Sequence, residues 1–89
     1  MIADTDKRII QRIAGKYRAK RVVLFGSSLS PEKESRDIDI GVEGVEGKDF
    51  FAFWGELLCD LSKPVDVIDL SVKSRFVEII QQEGIPLYA

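Results

Sequence analysis

Histidine is absent from this sequence and cysteine occurs once, at Cys59. Without histidine there is no Ser-His-Asp triad, and without a Cys/His cluster there is no zinc site of the usual spacing. One cysteine also excludes an intramolecular disulfide, which fits a reducing, cytoplasmic compartment. Cys59 falls in an apolar helical pattern, so it reads as a small core or semi-core residue rather than a nucleophile. No stretch approaches the ~20 apolar residues that a membrane span needs. The N-terminus, with Asp4 and Asp6, lacks the basic and apolar regions of a signal peptide, so the chain reads as soluble and untargeted. An excess of basic charge is missing too. The net charge of −2 argues against broad nucleic-acid binding, which depends on clustered Lys and Arg neutralising phosphates. The basic run from Lys16 to Arg21 is what the dipole at a helix end favours.

What is present is an ordinary folding composition, 45% hydrophobic and 31% charged, too apolar for a disordered chain. At this length, residues 1–89 are expected to form one domain. Ile9, Ile10, Ile13 and Tyr17 recur at helical spacing, predicting a helix over Thr5 to Tyr17 with Thr5 or Asp6 as cap and Gly15 as a close contact or early stop. Val22 to Phe25 is a short apolar run ending at Gly26-Ser27, a strand followed by a tight turn. The polar stretch Ser28 to Ser35 reads as a loop, with Pro31 placed to open a helical turn. Asp37 to Val42 alternates as a strand. Phe50, Phe53, Trp54, Leu57, Leu58 and Leu61 form an apolar helical stripe that reads as core, with Phe51 or Trp54 left to offer surface to a partner. Val65 to Leu70 is a third strand, and Lys73 to Glu83 a final helix with Phe76, Val77, Ile79 and Ile80 as its apolar set, Ser71 as cap and Gly84 as stop. Ile85 to Tyr88 follows as an extended tail. The fold class is α/β or α+β: a small mixed sheet flanked by helices.

Asp37 and Asp39 stand two apart on one strand. Both carboxylates therefore leave the same face, separated by roughly 7 Å at ~3.3 Å per residue. Such a pair suits a hard cation, since Mg²⁺ takes oxygen ligands and keeps waters and substrate phosphates in its shell. The plainer reading is a pair of exposed strand acids, which repel each other and suit a strand poorly. At the end of the preceding strand, Gly26 permits close backbone approach and Ser27 offers an N–H and a hydroxyl to an anion.

A hydrophobic residue, Gly-Ser, a spacer and Asp-Ile-Asp-Ile, as in Phe25-Gly26-Ser27 and Asp37-Ile38-Asp39-Ile40, resembles the signature of the nucleotidyltransferases of the DNA polymerase β superfamily. Asp66, in Val65-Asp66-Val67, stands where that family carries a third carboxylate. The resemblance runs from about Val22 to the C-terminus and is closest to the minimal, stand-alone members. It departs from them over Ser28 to Pro31, where Arg and a second Gly are common. Lys33 and Arg36 are the nearest substitutes, and both also read as solvated surface charges.

The resemblance implies a polymerase-β-like core and metal-dependent transfer of AMP from ATP to an acceptor hydroxyl. Asp37, Asp39 and Asp66 would be the catalytic, metal-binding carboxylates for two Mg²⁺ ions, and Gly26 and Ser27 the nucleotide-binding residues. It also implies a protein partner, a small helical HEPN-type toxin of which this chain is the antitoxin. The rival reading is a non-catalytic module that neutralises a partner by occlusion.

Overall fold

The computed structural model describes residues 2–26 and 37–89. Ser27, Lys33, Arg36 and the expected Pro31 turn lie outside them. The elements run α1 (Asp4–Lys16), β1 (Arg21–Leu24), β2 (Ile38–Glu43), α2 (Gly47–Asp60), β3 (Val65–Asp69), α3 (Arg75–Glu83) and β4 (Ile85–Tyr88). The strands form one mixed sheet in the order β3-β2-β1-β4. β1 pairs antiparallel with β2 and β4, whereas β2 and β3 are parallel, as a strand–helix–strand crossover through α2 requires. The tail that the sequence leaves merely extended is therefore an edge strand.

Alternation along the strands sorts side chains onto two faces. Val22, Leu24, Ile38, Ile40, Val42, Val65 and Val67 point toward α1 and α2, where they pack with Ile10, Ile13, Ala14, Phe53 and Leu57. The predicted stripe of the second helix is partly corrected. Phe53 and Leu57 are fully buried, but Leu58 is 52% exposed; Phe51, read as surface rather than as part of the stripe, is 80% exposed. Cys59 is exposed as well, not a core residue, because it follows Leu58 on the outer side of α2. Trp54 is half-buried, and its indole N–H donates to the Val65 carbonyl at 2.8 Å, tying α2 to β3.

The first helix begins earlier than predicted, with Ala3 in the capping position. Asp6 is not a cap. It is buried, and its carboxylate accepts from the Ser62 N–H at 3.1 Å and hydroxyl at 2.5 Å, holding the start of α1 to the end of α2. The opposite face of the sheet carries a smaller core of Val23, Leu70, Val77 and Ile80, with Phe25 and Ile68 at its margin, so α3 covers that side. Ser74, not Ser71, caps α3: its side chain accepts from the Val77 N–H at 3.1 Å. Ser71 instead turns back on Asp69, whose Oδ1 accepts from its N–H at 2.9 Å and its hydroxyl at 2.6 Å. Asp69 is thus a strand-end acid fixing the turn. Gly84 ends α3 in extended geometry, where a Cβ would lie 2.0 Å from Val23 Cγ1, so close packing rather than positive φ selects glycine.

Candidate functional site

The sheet places Asp39 directly opposite Asp66 in the parallel β2–β3 register. Side chains opposite one another share a face, and neighbouring strands lie about 4.8 Å apart, so two residues 27 positions apart in sequence become immediate neighbours. Their face is the one that α3 covers, beyond the small core of Val23 and Leu70. Asp39 is half-buried, while Asp66 and Asp37 are exposed. Asp37 stands just before β2, two residues from Asp39.

The backbone around Asp39 is held from both sides. Its carbonyl accepts from the Phe25 N–H at 3.0 Å, and the preceding Ile38 N–H donates to the Pro64 carbonyl at 2.8 Å. Gly26 lies against its side chain. At φ +70 this residue is in the left-handed region, and an added Cβ would stand 2.8 Å from Asp39 Oδ2. Both conditions exclude ordinary side chains, so glycine is needed here for conformation and for space.

Electrostatics bear the imprint of this arrangement. Burial raises the Asp39 pKa above the ordinary carboxylate value, and the charges of Asp66 and then Asp37 raise it further. Ionising Asp39 beside two other acids is therefore unfavourable, and a cation would offset the repulsion. Among the described residues, no three acidic or cysteine side chains gather closely enough to hold a metal ion in this conformation. The donor chemistry nonetheless suits Mg²⁺, because all three groups are hard oxygen ligands, two of them paired on one face of the sheet.

Of the sequence-predicted residues, the structure brings together Gly26, Asp39 and Asp66, leaves Asp37 exposed just before β2 with its charge acting on Asp39, and leaves Ser27 outside the described residues. A feature without a sequence signal adjoins them. A cavity of about 180 Å³ opens beside Gly26, lined also by Phe25, Phe76, Ile79, Ile80 and Glu83. Phe76 and Ile79 match the core pattern of an amphipathic helix, yet they are 53% and 46% exposed. A larger cavity of about 670 Å³ lies at the far end of the same sheet face, around Glu43, Leu70 and Ser74. It is about four residues, roughly 13 Å, along β2 from Asp39, so it is not part of the carboxylate site.

Neither a protein-family model nor a curated protein matches the sequence. Solved structures do. A chain from a crystal structure of the toxin-antitoxin MntA-HepT superposes with a TM-score of 0.73 at 19% identity, covering 98% of this chain and 73% of that one. A mutant of that pair, with aspartate replaced by glutamate at two positions two residues apart, gives 0.74 at 20% identity, covering 93% and 72%. A toxin-antitoxin structure with AMP-PNP gives 0.74 at 21% identity, covering 98% and 74%. At these identities the likeness establishes the fold. It is the α+β fold of MntA, a minimal nucleotidyltransferase.

Proposed function

We propose that this chain is a metal-dependent nucleotidyltransferase that moves AMP from ATP to a hydroxyl on a partner protein, as the antitoxin of a HEPN/MNT-like pair. The observation that carries this reading is the Asp39–Asp66 register, with Gly26 fitted against Asp39, on a sheet of this fold. The relatives' pairing with HepT and the AMP-PNP complex support the partner and the nucleotide. So does the mutated aspartate pair of one relative, which has the same spacing as Asp37 and Asp39.

Asp37, Asp39 and Asp66 would hold Mg²⁺, which supplies charge stabilisation to the entering and leaving oxygens of an in-line displacement. Gly26 lets the backbone approach the triphosphate, and Ser27 adds a donor by its position in the sequence. The acceptor oxygen forms a bond to the α-phosphorus while the bond to the bridging oxygen of the β-phosphate breaks, releasing pyrophosphate. Asp66, the more exposed member of the facing pair, takes the hydroxyl proton. Positioning and electrostatics carry the rate.

Incubating the chain with its helical partner, Mg²⁺ and ATP should add the mass of one or more AMP groups to the partner, and Asp39→Asn should abolish the addition. An unmodified partner with the wild-type chain would count against transfer. The second reading, occlusion without catalysis, is motivated by Ser28 to Pro31, where the sequence departs from the minimal members it resembles. Calorimetry separates the two. Mg²⁺-dependent ATP binding that disappears in Asp39→Asn supports the metal–nucleotide site, and partner binding without any ATP binding supports occlusion.

A further inference from the structure

We infer that the cavity between Phe25 and α3 is the nucleobase subsite of this site, with Phe76 as its stacking face and Glu83 as its specificity-determining acceptor. The inference rests on the metal–nucleotide reading above and deepens it. At about 180 Å³ the cavity is below the ~300 Å³ at which pockets begin to hold drug-sized ligands, so it fits a planar ring system rather than a whole nucleotide.

Its position follows from Gly26, which lines the cavity on one side and abuts Asp39 on the other. Base and metal-bound phosphates of one nucleotide would thus lie either side of a single residue. Its chemistry follows from the walls. Phe25, Phe76, Ile79 and Ile80 are apolar, and the Phe25 and Phe76 rings meet edge to face with centroids 6.0 Å apart. Phe76 is 53% exposed, so its ring retains surface for a further aromatic partner.

Glu83 decides which end of a nucleotide belongs here. The cavity runs along α3 from Phe76 in its first turn to Glu83, its last residue, so a carboxylate and the negative end of the helix dipole meet at the Glu83 end. A phosphate is disfavoured in that field. The amino edge of a base, which donates hydrogen bonds, is favoured there.

Calorimetric titration of the purified chain with Mg²⁺ and either tripolyphosphate, ATP or purine riboside triphosphate tests this. Phe76→Ala should weaken ATP roughly 5- to 150-fold, the span of one lost base–aromatic stack, and leave tripolyphosphate unchanged. Phe76→Trp should retain ATP affinity. Glu83→Leu should weaken ATP about 3- to 10-fold and remove its preference over purine riboside triphosphate, which lacks the amino group. If Phe76→Ala unfolds the chain, Phe76→Leu keeps the apolar bulk without the ring and should show the same selective loss.

Unchanged ATP affinity in Phe76→Ala, or equal losses for ATP and tripolyphosphate, overturns the base subsite while the metal–triphosphate reading stands. A wild-type chain that binds neither ligand overturns both. Loss of partner binding alone, with ATP binding intact, overturns the base subsite in favour of a protein contact.

Discussion

Asp39 and Gly26 are adjusted to each other. Gly26→Ala places a methyl group 2.8 Å from the Asp39 carboxylate and forces a non-glycine residue to φ +70. It should cost about 1–2 kcal/mol for the left-handed conformation alone, and abolish Mg-ATP binding by displacing the carboxylate; thermal unfolding and calorimetry read the two effects separately. Asp39 also links stability to pH. Its proton affinity is higher in the folded chain than in the unfolded one, through burial first and then Asp66 and Asp37. The folded state therefore loses stability as pH rises from the ordinary value of 3.8 through the raised value, and regains it as pH falls. Asp39→Asn should remove this component and leave the metal-free protein slightly more stable at neutral pH, by a few tenths of a kcal/mol for one pair of like charges across strands. Denaturant midpoints measured across the acid range would show it. A site that favours a bound cation is a cost to the empty fold, and the substitution that relieves the cost should end function.

Among the elements, α1 and α2 are joined by polar contacts as well as by their core. Glu56 accepts from Lys16 Nζ at 2.8 Å and from the Tyr17 hydroxyl, and the two hydrogen bonds, Lys16 first, hold its pKa below the ordinary value of 4.5. Its contribution is present above that ordinary value and is lost as pH falls through the lowered folded one. Glu56→Gln should flatten the acid limb of a stability–pH curve below about pH 4.5. A third of the Glu56 side chain remains in contact with solvent, so the effect is small. Ser74→Ala should cost about 1 kcal/mol by removing the α3 cap, and Gly84→Ala should cost more, because its Cβ would meet both Val23 Cγ1 at 2.0 Å and the Ile80 carbonyl at 2.6 Å. Both loosen the helix that walls the cavity beside Gly26. Helix existence was legible in the periodicity of Ile9, Ile10, Ile13 and Tyr17 and of Phe53 and Leu57, and so was the Gly84 stop of α3, whereas the N-caps were not. Thr5, Asp6 and Ser71 all match a capping composition, but α1 has already begun at Thr5, Asp6 accepts from Ser62, and Ser71 donates to Asp69.

For the whole molecule, the fully buried Phe53 is the largest side chain of the main core, touching the layer that α1 and the sheet share. Phe53→Ala should cost roughly 3–5 kcal/mol, against a total of only about 5–10 kcal/mol for a domain of this size, so loss of cooperative unfolding near physiological temperature is the expected result. No described helix is long and apolar enough to cross a membrane. The residues proposed to carry the chemistry could be named from the sequence: Gly26, Asp37 and Asp39 because a turn residue and two alternating acids stand in one motif, and Asp66 because it holds the place of the third carboxylate in the resemblance. Their meeting could not be read the same way. Parallel pairing of Ile38–Val42 with Val65–Asp69 sets Asp39 against Asp66 only through a crossover by α2, and a slip of one residue would have turned one acid into the core. The apolar cavity at Phe76 and Glu83 was hidden for the opposite reason: helical spacing shows which residues share a face, but not how far the sheet beneath extends to cover it. Short-range stereochemistry thus determined the elements and the candidate carboxylates, and long-range packing decided which of them face one another, which apolar side chains remain uncovered, and where the site lies.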